Sequence, residues 1–232
     1  MLERADTYVV ILVEKDGLLD TIRGIADEYD VPIVAQPFTS ISNQYDVAKR
    51  IMRAFEAGKS VVVYHLGDYD PSGKSMFTSI CEGLPMLLRD HLGAPAEHID
   101  GAHEWSESQL PTTRHVKFRG HKCIGQSDFC DPKVKVIRWA SPMLTIERLG
   151  LIRRQVDAHC RHGLRPTKRK GNTHAQRFPD NESCELDALP PNVLRDLVRR
   201  AIERHVPKSL VDRVRKEEAK QRSEIERIAD GS

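Results

Sequence analysis

No apolar run in this sequence approaches the roughly 18 residues that a membrane-spanning helix requires. The opening Met1-Leu2-Glu3-Arg4-Ala5-Asp6 also lacks the basic-then-apolar layout of a secretory signal. Aromatic residues make up only 6%, charged residues reach 30%, and the mean hydropathy is −0.49. A soluble protein is expected, with no membrane partner and a cytoplasmic location. Net charge is nearly absent, at +2, so any nucleic-acid surface must come from local basic patches. Paired cysteines are missing too. Cys81, Cys123, Cys130, Cys160 and Cys184 are odd in number and scattered, which argues for reduced thiols rather than a disulfide framework. His115, His121, Cys123 and Cys130 are zinc-ligand types, but no Cys-x-x-Cys knuckle accompanies them, and zinc is disfavoured. No internal repeat or low-complexity segment is present. The 232 residues suffice for one large α/β domain, with or without an insertion.

What is present centres on residues 61 to 75. Val61, Val62, Val63 and Tyr64 form a β-branched and aromatic run bounded by turn residues, the pattern of a strand buried on both faces of a parallel sheet. Asp68 and Asp70 follow it, ahead of Pro71-Ser72-Gly73 and a helix expected over Lys74 to Glu82. Open α/β sheets place their ligands at this end of a strand. Two aspartates so close repel each other unless a cation lies between them, and a hard, oxygen-seeking ion such as Mg²⁺ suits such a pair. The plainer alternative is that Asp68 starts a turn and Asp70 caps the helix. Gly73-Lys74-Ser75 resembles the end of a P-loop, but the glycine required five residues earlier is Asp68, so that motif is absent.

A second buried-strand pattern, Tyr8 to Val13, ends in Glu14 and Lys15. Neighbouring parallel strands end side by side, so Glu14, Asp68 and Asp70 are candidates to converge on one metal, with Lys15 beside them. Asp16 is expected to cap a helix from about Gly17 to Tyr29. Val31 to Ala35 reads as a further strand. A helix from about Asn43 to Ala57 follows, capped by Ser40 or Ser42. The order β-α-β-α-β predicts a parallel sheet.

Three segments carry a family resemblance: Val13-Glu14-Lys15-Asp16, then Asp68-x-Asp70-Pro71-x-Gly73, then Glu185-Leu186-Asp187-Ala188-Leu189-Pro190. In order and rough spacing they resemble the Toprim domain, most closely that of the topoisomerase VI A subunit, its meiotic double-strand-break relatives and related bacterial proteins. The match covers about residues 7 to 92 and 143 to 205. It implies an α/β, Rossmann-like Toprim domain over 1 to 205, with a central, mainly parallel sheet flanked by helices. Residues 94 to 142 form an inserted β-rich excursion, and 206 to 232 a charged helical tail. It further implies Mg²⁺-dependent phosphodiester cleavage or transesterification on nucleic acid, with DNA the first expectation and RNA left open, and with Mn²⁺ as a substitute. Asp68 and Asp70 would hold the metal. Glu14 would hold it too, or act as general acid/base toward the leaving 3′-oxygen, and Lys15 would add positive charge.

In that family the attacking tyrosine lies on a winged-helix domain ahead of the Toprim domain, whereas this sequence starts at the Toprim strand. The expectation is therefore that water attacks, or that a partner chain or domain supplies the tyrosine. The alternative is a non-catalytic metal- and DNA-binding module within a larger complex. Asp187 is expected to be structural, and Glu185 is left open between the two roles.

Nucleic-acid contacts are expected from Ser40 and Ser42 at a strand-to-helix junction. The basic loop of Arg165, Lys168, Arg169 and Lys170 is a second candidate. Arg114 to Arg119 and Lys133 to Trp139 alternate as in a two-stranded ribbon, and their basic and aromatic residues suit nucleic acid as well as plain solvation.

Overall fold

The computed structural model describes residues 5–35, 40–100, 102–107, 110–119, 122–123, 134–167, 178 and 180–230. For the strands within 102–139, and at 230, it describes the backbone alone.

The chain runs β1 (Thr7–Val13), α1 (Leu19–Glu28), β2 (Ile33–Ala35), α2 (Ile41–Glu56), β3 (Ser60–Leu66) and α3 (Pro71–Met86). A π-helical segment, Leu87–His91, and the short α4 (Ala96–Ile99) follow. Next come β4 (Ala102–Glu107), β5 (Leu110–Arg119), β6 (Lys122–Cys123), β7 (Val134–Ala140) and β8 (Leu144–Gly150). The last elements are α5 (Arg153–His159), β9 (Arg165–Pro166), β10 (Glu182–Ser183), α6 (Pro191–Glu203) and α7 (Lys208–Asp230).

Eight strands form one sheet in the order β2-β1-β3-β8-β7-β4-β5-β6. The first four are parallel and the rest pair antiparallel, with β8 shared between the two halves. The parallel half is the expected α/β arrangement. Its strands alternate between two buried faces because they are apolar at nearly every position. Val9, Ile11, Val13, Val62, Tyr64 and Leu66 face one core, which α1 and α6 close. Val10, Leu12, Val61, Val63, Leu144 and Ile146 face the other, closed by α2 and α3. Each buried aliphatic side chain contributes about 1.5–3 kcal/mol. Helix α7 adds Val211 and Val214 to the buried set, and beyond Arg215 its described side chains are exposed. Among the described residues no helix is long and apolar enough to cross a membrane.

Several boundaries differ from the sequence reading. Asp16 does not cap: Lys15 holds the cap position with no side-chain hydrogen bond, and Asp16–Leu18 form a 3-10 turn before α1. Helix α3 starts at Pro71 rather than Lys74, because proline's missing N–H costs nothing in a first turn. It also runs through Pro85, and the π-helical segment follows directly. Within the described residues the two alternating stretches, 114–119 and 134–139, are strands but do not pair with each other. β4 lies between β5 and β7 and binds both. Cys81, Cys160 and Cys184 are buried free thiols.

Candidate functional site

The acids meet at the carboxyl edge of the parallel strands. Register sets this: Val13 pairs with Leu66, so Glu14 and Gly67–Asp68 leave the sheet side by side. The backbone continues the ladder past the strands, with Glu14 N–H donating to Leu66 O at 3.0 Å and Gly67 N–H to Gly150 O at 2.8 Å. Asp68 N–H donates to Glu14 Oε2 at 3.3 Å.

Asp68 is only 7% exposed, and both of its oxygens are engaged. Oδ1 accepts from Leu186 N–H at 2.7 Å, and Oδ2 receives the Lys15 ammonium at 2.9 Å. That ammonium also donates to Glu185 Oε2 at 3.2 Å. Burial alone would lower the Lys15 pKa, but the Asp68 hydrogen bond and charge, with Glu185 behind them, hold it above the usual lysine range.

Asp70 is the N-cap of α3, its Oδ1 accepting from Gly73 N–H at 2.7 Å. The capping role is therefore realised, yet the Asp70 charge still reaches Glu14. Burial raises the Glu14 carboxyl above its ordinary value, and the Asp68 and Asp70 charges raise it further. Glu14, Lys15, Asp68 and Asp70 are thus brought together, with Glu185 added through Lys15. Asp187 lies exposed on the 3-10 turn Leu186–Ala188.

The downstream segment is held in place by backbone pairing. Tyr69 and Cys184 exchange both hydrogen bonds, at 2.8 and 2.9 Å. Ser183, next along β10, is in register with Arg165 on β9, so exposed Arg165 sits one short ribbon from the acid loop. Lys168, Arg169 and Lys170 lie outside the described residues. Ser40 caps α2, accepting from Asn43 N–H at 3.3 Å, and Ser42 is exposed in the first turn. Both follow the carboxyl end of β2, the edge that carries the acids.

Two residues at this edge escaped the sequence reading. Arg148, on β8, is 8% exposed and donates to the carbonyls of Asp68, Gly73 and Leu151. It clamps the acid loop to the start of α3. Burial lowers its pKa to about 10, against the opposing charges of Glu14, Asp70 and Asp68. The signal was available: Leu144, Ile146 and Arg148 share one strand face, which places an arginine at an inward position. The second is His65, fully buried, with neither ring nitrogen hydrogen-bonded among the described residues. Its ring stacks on Phe77 at 5.7 Å, and burial pushes its pKa well below the ordinary value.

The glycines make this crowding possible. A Cβ at Gly67 would stand 2.6 Å from Glu14 Oε2 and 2.7 Å from His65 Cε1, and one at Gly73 would stand 2.3 Å from Asp68 O. The donor chemistry, carboxylates only, suits a hard divalent ion. Among the described residues no three His, Cys, Asp or Glu side chains form a ready-made cage. An ion here would use one or two carboxylates and keep several waters, as Mg²⁺ does. No family model, no curated protein and no solved structure matches this chain.

Proposed function

We propose that the chain is a Toprim-type module that uses Mg²⁺, or Mn²⁺ in its place, to cleave or transesterify phosphodiester bonds in nucleic acid, DNA above RNA. One observation carries the reading: Glu14, Asp68 and Asp70 gather at the carboxyl edge of a parallel sheet, with Lys15 and Arg148 as counter-charges. Glu14 and Asp70 are the side chains that would hold the ion. When bound, it would stabilise negative charge on the scissile phosphate.

The chain's own residues divide the remaining work. Asp68 fixes the loop through Leu186 and orients Lys15. Lys15 presents a permanent positive charge to a phosphate oxygen. As the alternative to holding the ion, the raised carboxyl of Glu14 would suit proton transfer to the leaving 3′-oxygen. Arg148 is a positioning residue, holding the acid loop against α3. Arg165, with Lys168, Arg169 and Lys170, and the Ser40 and Ser42 hydroxyls at the same edge, would contact the backbone. The attacking group is water, or a tyrosine brought by another domain or chain.

A second reading has one observation in its favour. Both Asp68 oxygens already have donors from the chain itself, as a purely structural role would require. In that reading the module binds DNA without cutting it. Nicking of supercoiled plasmid separates the two. Cleavage that needs Mg²⁺ or Mn²⁺ and disappears in Glu14→Gln and Asp70→Asn is the expected result. Plasmid left intact by wild type with either ion, under conditions where it binds the DNA, would sink the catalytic reading in favour of the binding module.

A further inference from the structure

We propose that Lys15 is a built-in second cation of this site, and that Glu185 is the residue that positions it. One divalent ion, not two, then binds per chain. The inference rests on the metal-assisted reading above and deepens it.

Sites that use two divalent ions for phosphoryl chemistry hold them about 3.5–4 Å apart, on either side of the reacting phosphate. Such a pair needs carboxylate oxygens for the second ion. Here the carboxylate pair that would serve it, Asp68 Oδ2 and Glu185 Oε2, closes instead on the Lys15 ammonium, at 2.9 and 3.2 Å. The arrangement is built into the backbone. Glu185 stands 170 residues from Lys15 in sequence. Both of its chain neighbours are pinned to the acid loop, Cys184 by its paired hydrogen bonds with Tyr69 and Leu186 by its N–H on Asp68. These bonds fix the Glu185 backbone beside the acid loop, and its side chain, 59% exposed, reaches the Lys15 ammonium from there.

The ammonium suits the task. It carries three N–H donors. Asp68 and Glu185 take two, which leaves one for a phosphate oxygen. Its side chain is 37% exposed, so a ligand can reach it.

The test is a calorimetric titration of the full chain with Mn²⁺, with bound ions counted independently by the electron spin resonance of free Mn²⁺. Wild type and Lys15→Arg should each bind one ion per chain. Lys15→Met should bind two, because it removes the ammonium that Asp68 Oδ2 and Glu185 Oε2 share. The double variant Lys15→Met/Glu185→Gln should return to one, which a purely structural Glu185 would not produce. Circular dichroism identifies any variant that fails to fold, and the count in wild type stands without the variants. Two ions in wild type, or one in a folded Lys15→Met, overturns the inference and leaves the metal reading intact. No ion in wild type overturns the metal reading and the inference with it.

Discussion

At the scale of single residues, the site is a negotiation between charges that burial makes costly. His65 shows the cost most directly. It is neutral in the fold because burial disfavours the imidazolium, and its ring leans on Phe77. Its folded pKa lies below the ordinary 6.5 of the unfolded chain. The unfolded state therefore takes up a proton first as pH falls. The stability contribution is present above the unfolded value and is lost as the pH drops below it. We expect the melting temperature of wild type to fall more between pH 7.5 and 5.5 than that of His65→Phe, which keeps the stack and cannot protonate. Equal losses in the two proteins would mean that His65 escapes burial in solution. Arg148 is the opposite case. It too is buried, but three backbone carbonyls and the nearby carboxylates compensate its charge.

At the scale of elements, α3 joins structure to chemistry through one side chain. Asp70 caps the helix and also contributes charge to the metal edge. The two roles separate by substitution. Asp70→Ala should lose about 1 kcal/mol of stability, the usual worth of a cap, while Asp70→Asn should lose only a fraction of that because asparagine caps equally well. Both should weaken Mn²⁺ binding alike, as read by calorimetry beside urea unfolding. If Asp70→Asn binds Mn²⁺ as wild type does, Asp70 is a cap alone.

How far the elements were legible follows from their residues. β1 and β3 announced themselves through unbroken β-branched runs, and the acids after them followed from parallel register. β4 did not, because Ala102-His103-Glu104-Trp105-Ser106-Glu107 has no β-branched residue and its strand state comes from two neighbours. Lys15 was legible as a charge near the acids. Its bond to Glu185 was not, since no local pattern links positions so far apart.

At the scale of the whole molecule, the sheet separates two cores, and α7 belongs to one of them for only part of its length. Val211 and Val214 are buried and Arg215 donates to Glu28 O at 2.9 Å, whereas Ile225 and Ile228 stand 67% and 69% exposed. Ending the chain after Arg215 should therefore change the melting temperature little, while ending it before Lys208 should lower it sharply. A large loss from the shorter deletion would show that the outer helix is covered in solution.

The span of the chain that the acid cluster draws together has one more consequence, for synthesis on the ribosome. Glu14 and Asp68 emerge early and can meet as soon as β1 and β3 pair. The backbone donor for Asp68 comes from Leu186, 118 residues later, and the partner of Lys15 arrives with it. Domains generally fold as units, and the chain is made from its N-terminal end. A growing chain thus carries its acids before the segment that finishes their surroundings, and the centre is completed only when most of the protein has been made.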